Sequence, residues 1–425
     1  MKIVILGAGI SGISAAYHLG LKEKEAVVFE KRDRWGGLCD NFEVDGFRFD
    51  HAVHLSFTKN EYVKKIFRES ADIITHSPPK IGNYYHGTWV KHPAQNNLYP
   101  LPLDVKIKSI KDFVEPNTGE PTDYEQWLRR QYGDYFAEHF PMPYTRKYWT
   151  TDAGKLTIDW IGERMYRPNL EEVLKGAMSD KTSNTYYADE MRYPQKGGYK
   201  SFLKKMAGEC DIRLCKKAVS IDVKKQFVEF ADGEKVYFKQ LISSLPLPEI
   251  VSIIKDTPRE IKEAAQKLSC SSVALVSLGF NKPDVPDYLW FYIYDEDICP
   301  ARCYSPSMKS SNNAPDRCSS LQFEIYFSKY KKLPIQGDDL VEHVVDKSVS
   351  MGLFEKNDII ASDYRVLKYG NVIFDKSRRK NRQIVLYYMK ESQIESIGRF
   401  GQWDYWWSDQ SLMSGRRNLT FMEER

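Results

Sequence analysis

Ile3-Val-Ile-Leu-Gly7-Ala-Gly9-Ile-Ser-Gly12 ends an apolar run in three spaced glycines, and that spacing lets a backbone turn close around a phosphate. Each glycine does something different in space. Gly7 makes the tight turn, Gly9 allows close approach to the phosphate, and Gly12 lets the next helix pack on the strand. That helix aims its N-terminus, and hence its free N–H groups, at a pyrophosphate. Glu30 follows eighteen residues after Gly12, at the end of Val27-Val-Phe-Glu30, where a carboxylate accepts both hydroxyls of an adenosine ribose. Trp35-Gly36-Gly37-Leu-Cys39 then supplies a second glycine turn. A lone glycine motif is weak evidence, but the strand before it and the acid-terminated strand after it point to a dinucleotide. The order of all three blocks is the one flavin adenine dinucleotide (FAD) requires.

The elements that position these residues form a discontinuous unit. Helical phrases fall near 60–70, 103–113 and 122–140, and sheet character returns near 212. Ala218-Val-Ser-Ile-Asp222, Gln226-Phe-Val-Glu-Phe230 and Val236-Tyr-Phe alternate as a meander that feeds a parallel strand at Leu241-Ile-Ser-Ser-Leu-Pro246. The backbone of Val219 is thereby placed to meet an adenine edge. Further strands are expected at 273–280, 289–294, 321–327 and 383–388, with an amphipathic helix near 338–351. The fold class expected is α/β: a Rossmann-like two-dinucleotide-binding FAD domain (1–58, 190–270 and 395–425), an inserted helical and aromatic region (59–189), and a second antiparallel-sheet substrate domain (271–394). The turn-rich stretch 305–320 reads as a mobile surface loop or lid.

Composition narrows the class. At 425 residues the chain can bury a large core and form two or three domains. No run of eighteen apolar residues exists, so neither a membrane span nor a signal peptide is expected, and the cytoplasm is the expected compartment. Seven cysteines without C-x-x-C spacing argue against a disulfide framework or a zinc site. The net charge of +4 is dispersed, and the basic run Lys376–Arg382 reads as a loop of solvated charges, not a nucleic-acid surface. The 27 tyrosines stand out, because a flat apolar ring with a hydroxyl suits a polar pocket.

Across most of its length the sequence resembles the UDP-galactopyranose mutase family, its eukaryotic-type branch most closely, within the group that includes protoporphyrinogen oxidase and the amine oxidases. The blocks that carry the likeness run in order: Gly46-Phe-Arg-Phe-Asp-His-Ala-Val-His54, Trp89-Val-Lys-His-Pro-Ala-Gln95, Trp149, Trp160-Ile-Gly-Glu-Arg164, Arg192-Tyr-Pro-Gln-Lys-Gly-Gly198, Cys299-Pro-Ala-Arg302, and Gly398-Arg399-Phe-Gly-Gln-Trp-Asp-Tyr405 with Asp409-Gln410. The resemblance implies that His54 lies beside the isoalloxazine, that Arg164, Arg302 and Arg399 are catalytic, and that Gln95, Trp149, Tyr292 and Tyr405 bind substrate. Asp409 and Gln410 would join Gly7, Gly9, Gly12, Glu30, Gly36, Gly37 and Val219 at the cofactor. Arg164 and Arg302 on opposite sides of a cleft would clamp a diphosphate through paired, charge-assisted hydrogen bonds.

The implied activity is a pyranose–furanose rearrangement of a nucleotide-diphosphate sugar for cell-surface glycan synthesis, in which N5 of reduced flavin bonds to the anomeric carbon. NAD(P)H is the implied reductant, and with no second glycine motif to hold it, it must visit the same cleft. An oxidase or desaturase on the same cofactor fold is the alternative, and a flavoprotein that only binds nucleotide sugars a third reading. Three departures fall on the substrate side. Ala52 and Val53 stand where the family carries glycines before the histidine, so a redox-linked peptide flip is disfavoured. His92 and Ala94 replace aromatic residues of the base segment, and Asn371 replaces a tyrosine.

Overall fold

The computed structural model describes residues 2–115, 119–182 and 190–417. Strand β1 (Lys2–Leu6), helix α1 (Ile10–Gly20) and strand β2 (Ala26–Phe29) open a mixed α/β fold. Four of the five β1 residues are buried, as expected of a parallel strand covered on both faces. In its sheet, β1 lies between β2 and Lys235–Ser243, both parallel to it, and Asp211–Arg213 extends the edge beyond β2. Lys235–Ser243 is one strand that leaves the antiparallel meander of 218–230 and enters the parallel sheet, so the expected meander and the strand after it are continuous. Ile394–Ser396 adds a further parallel partner.

The C-terminal helix Ser408–Arg417 closes onto α1. Ser11 and Ser14 donate hydroxyl hydrogen bonds to the carbonyls of Ser411 and Leu412 at 2.9 and 2.7 Å. A Cβ on Gly415 would lie 2.5 Å from the Ser11 carbonyl, so only glycine allows this approach. The chain's last described helix is therefore packed directly on its first.

A second sheet of seven strands runs Ile359–Leu367, Ser272–Phe280, Ser319–Phe327, Arg302–Tyr304, Trp290–Ile293, Ile81–Tyr85 and Thr88–Lys91. It is antiparallel except where Trp290–Ile293 meets Ile81–Tyr85. Residues 81–91, counted by sequence within the helical region, belong to this sheet. The helices Leu103–Val114, Tyr124–Tyr132, Asp134–His139 and Pro141–Tyr148 pack on one another, and the last of them packs on the Ser319–Phe327 strand of this sheet.

Three local expectations are corrected. Residues 383–388 lie in the helix Arg378–Glu391 and are not a strand; Val385 and Met389 are buried one turn apart, a helical period that the short apolar run concealed. The basic run 376–382 begins that helix, and Arg378 is buried, donating to the Trp403 carbonyl at 2.6 Å and pairing with Asp404 at 3.1 Å. The stretch 305–320 is not a loose lid. It holds two short helices, Ser305 caps the first by accepting from the Met308 N–H, and Lys309 is wholly buried. Among the described residues no helix is long and apolar enough to cross a membrane.

Candidate functional site

The glycine cradle sits at the C-terminal end of β1. Gly7 has φ +96°, and a Cβ there would meet the Ser244 hydroxyl at 2.4 Å. A Cβ on Gly12 would fall 1.9 Å from the Gly7 carbonyl, which no side-chain movement relieves. Gly36 and Gly37 both adopt positive φ, and a Gly37 Cβ would touch Gly9 Cα at 3.0 Å. Glu30 binds this turn from below: one carboxylate oxygen accepts from the Ala8 N–H at 2.9 Å and the other from the Arg32 N–H at 3.0 Å. The Gly36 N–H reaches the Ala8 carbonyl at 2.8 Å, so the three sequence blocks meet around one backbone notch.

Next to the cradle lies a cavity of about 380 Å³. His54, Gln95, Trp149, Arg164, Tyr292, Arg302, Arg399, Tyr405 and Asp409 all line it, so sequence positions more than 350 apart converge there. Asp409 stands at the N-terminus of the last helix, held by the Thr58 hydroxyl at 2.7 Å. Gln410 is exposed and does not line the cavity; its side chain accepts from the Trp407 N–H at 2.9 Å, because one step along a helix turns it away from its neighbour. Val219 is 41% exposed on the meander's outer strand, where the ladder with 227–230 skips it.

The three arginines divide into two kinds. Arg164 donates only to backbone carbonyls, Trp160 at 2.9 Å and Tyr405 at 2.7 Å, and Arg399 donates to the Asn371 side-chain oxygen at 2.6 Å. Neither pairs with a carboxylate among the described residues, and the Nε of each is buried without a partner. Their guanidinium carbons lie 5.0 and 4.9 Å from the Tyr405 ring centroid, so both cations pack against one aromatic ring. Arg302 differs, because it is paired with Glu324 at 2.6 Å, a carboxylate with no exposed surface. Burial pulls the Arg302 pKa down, but the Glu324 charge outweighs it and the net shift is well upward. All three arginines line the cavity, but among the described residues only Arg302 has a carboxylate partner.

His54 donates from Nδ1 to the Ala52 carbonyl at 3.1 Å, the only role open to a nitrogen facing a carbonyl. Burial lowers its pKa to about 4, so the ring is neutral near pH 7 and Nε2 is its acceptor. Ala52 carries a positive φ, +68°, at one of the two positions where the sequence comparison expected glycine, and Val53 stays outside that region. His92 hydrogen-bonds Asn83 at 3.1 Å beside the Tyr292 ring, and burial holds its pKa at about 3, so it replaces an aromatic face with a neutral imidazole. Gln95 donates to the Tyr166 carbonyl at 3.0 Å. Trp149 packs between Trp160 and Tyr405, with ring centroids at 4.8 and 5.1 Å, and forms wall more than contact.

Sequence reasoning missed Glu324, Asp50 and Lys309. Lys309 reaches Asp50 at 2.5 Å with neither side chain exposed, and Asp50 also accepts from the Tyr193 hydroxyl and the Tyr199 N–H. Burial alone would raise the Asp50 pKa; the Lys309 charge and hydrogen bond reverse it, and the net shift is downward. For Glu324 a signal existed: it stands mid-strand in Leu321-Gln-Phe-Glu-Ile-Tyr-Phe327, where a buried charge demands a partner.

Residues 5–70 match the NAD(P)-binding Rossmann-like domain family. Over all of this chain and 95% of the other, the fold superposes on a solved structure of reduced UDP-galactopyranose mutase with a TM-score of 0.93 at 24% identity. The chain has the fold of that mutase. Putrescine oxidase bound to putrescine shares it more loosely, with a TM-score of 0.68, 15% identity, and coverage of 100% of this chain and 99% of that one. Among curated relatives, 4,4'-diapophytoene desaturase (4,4'-diaponeurosporene-forming) of Staphylococcus haemolyticus is 37% identical over 70 residues, 16% of this chain and 14% of that protein. The chain thus aligns with only a small part of that relative, and the aligned part is about the size of the nucleotide-binding unit.

Proposed function

We propose that this protein is a flavin-dependent mutase that interconverts the pyranose and furanose forms of a nucleotide-diphosphate sugar. The observation that carries this reading is the pair of unneutralised arginines, 164 and 399, about the Tyr405 ring in a cavity beside the glycine cradle. Two fixed positive charges with no carboxylate partner among the described residues repel one another, and a diphosphate carries the matching charge.

FAD fits the cradle, because the missing Cβ atoms at Gly12 and Gly37 let the helix N-terminus and the second glycine turn close on the Gly7–Gly9 backbone, whose N–H groups then face a pyrophosphate; when bound and reduced it would supply the nucleophile for the anomeric carbon. Gly7, Gly9 and Gly12 would hold its phosphates, Glu30 its ribose, Val219 its adenine and Asp409 its ring. Arg164 and Arg399 hold the diphosphate as its bond to the sugar breaks, and charge that develops there is met by donors already in place. Neutral His54 presents an acceptor at Nε2 and carries no charge at pH 7. The stacked tyrosines and tryptophans exclude bulk water from the sugar.

An oxidase or desaturase acting on an apolar substrate would leave these two cations facing apolar groups at a desolvation cost. The direct test is titration of the oxidised holoenzyme with UDP and with TDP, followed by flavin fluorescence. Saturable binding of either at micromolar to sub-millimolar concentration is expected; no binding at 5–10 mM, roughly the weak limit for a specific anion site, contradicts the reading.

A further inference from the structure

Glu324 receives four donors at one buried carboxylate. Oε1 accepts from the Val53 N–H at 2.7 Å, while Oε2 accepts from Arg302 Nε at 2.7 Å and the Tyr326 hydroxyl at 2.8 Å, with a second Arg302 nitrogen 2.6 Å away. The other end of the same peptide group is also held, since the Ala52 carbonyl accepts from His54. Ala52 maintains φ +68° under this restraint, a conformation that costs a non-glycine residue about 1 kcal/mol. Val53, His54, Arg302 and Tyr326 all line the cavity, and Leu38 and His51 continue the lining toward the Gly36–Gly37 turn.

We propose that Glu324 is a positioning residue that links anion binding at Arg302 to the conformation of the 52–54 loop. Glu324 reaches the loop with one oxygen and the arginine with the other. An anion that draws the Arg302 guanidinium into the cavity strips the main counter-charge from a fully buried carboxylate. Because an uncompensated charge is costly there, the carboxylate follows the arginine and releases the Val53 N–H. The peptide that Ala52 and Val53 make stiff, in place of glycines, is thereby freed only when an anion is present. Linkage is reciprocal, so whatever the loop senses must in turn change anion affinity.

This inference rests on the flavin reading above, in which the 52–54 loop lies against the isoalloxazine. It predicts that inorganic pyrophosphate binds oxidised and reduced holoenzyme with affinities differing by about tenfold, which for a two-electron couple is a midpoint shift of about 30 mV on saturation. Glu324→Gln, which keeps shape but loses one acceptor and the charge, is expected to hold flavin and pyrophosphate and to reduce the ratio to within about twofold. Glu324→Asp, one methylene too short to span both partners, is expected to do the same and serves where the Gln variant fails to fold. A wild-type shift that persists in both variants, or pyrophosphate binding with no shift at all, overturns the coupling. Failure of the flavin-loaded protein to bind pyrophosphate overturns the diphosphate reading itself.

Discussion

The glycine cradle and the cavity wall beside it are built on opposite principles. The cradle is made of backbone: its donors are N–H groups, its shape depends on the absence of Cβ atoms, and its parts come from residues 7 to 37. The wall is made of side chains brought from Leu38 to Asp409, and its electrostatics depend on which cations have found carboxylates and which have not. A backbone site tolerates little change, while a side-chain site can be retuned one residue at a time. Residues 5–70, which hold the whole cradle, match the NAD(P)-binding Rossmann-like domain family, while most of the wall, His92 and Asn371 included, lies beyond them.

The strongest effect should come from breaking the cradle alone. Gly12→Val places a branched side chain where even a Cβ lies 1.9 Å from the Gly7 carbonyl, so the purified protein should carry essentially no flavin by absorbance. Retention of stoichiometric flavin would mean that the cradle is not the cofactor site. The buried ion pair comes next. Lys309→Met leaves Asp50 buried and uncompensated, at a cost of about 3–5 kcal/mol, which chemical denaturation should detect. The double change with Asp50→Asn should recover part of it; a single variant within 0.5 kcal/mol of wild type, roughly the noise for a surface change, would show that the pair does not stabilise the core.

Smaller effects belong to the wall. Arg164→Ala and Arg399→Ala should each weaken UDP or TDP binding by about 10–100-fold, or about 1.4–2.8 kcal/mol, with the flavin spectrum unchanged. Arg302→Ala should act less on affinity, because its charge is already matched by Glu324. Equal losses at all three would erase the distinction between paired and unpaired arginines.

The weakest effect is on pH. The His54 pKa is lowered from 6.5 to about 4, so the unfolded chain takes up a proton that the folded one refuses. Stability from this group is present above pH 6.5 and lost as pH falls toward 4, at no more than about 1.4 kcal/mol per pH unit. His54→Gln should flatten that part of the curve relative to wild type, and an unchanged difference between the two across pH 4–6.5 would contradict the neutral assignment.

What was legible in the sequence follows the same division. The strand–glycine–helix unit and Glu30 could be read because their geometry is local, and the arginines because motif order located them. The partners of those arginines could not: Glu324 is 22 residues from Arg302 and meets it only because the strands 302–304 and 319–327 are adjacent. The 305–320 stretch reads as a loop by composition, yet buried Lys309, Ser310 and Asn313 anchor it through Asp50, the Gln195 carbonyl and the Tyr193 hydroxyl. The strand expected at 383–388 failed because its apolar and aromatic residues fit both periods.

The decisive measurement is product analysis with UDP-galactose and thymidine-diphosphate sugars, run side by side on chemically reduced and on oxidised enzyme without oxygen. A flavin-dependent mutase must give pyranose–furanose interconversion of at least one of them by the reduced form, none by the oxidised form, and no net change in flavin redox state. Interconversion that ignores the flavin's state, or turnover that consumes an electron acceptor in proportion to product, would contradict it.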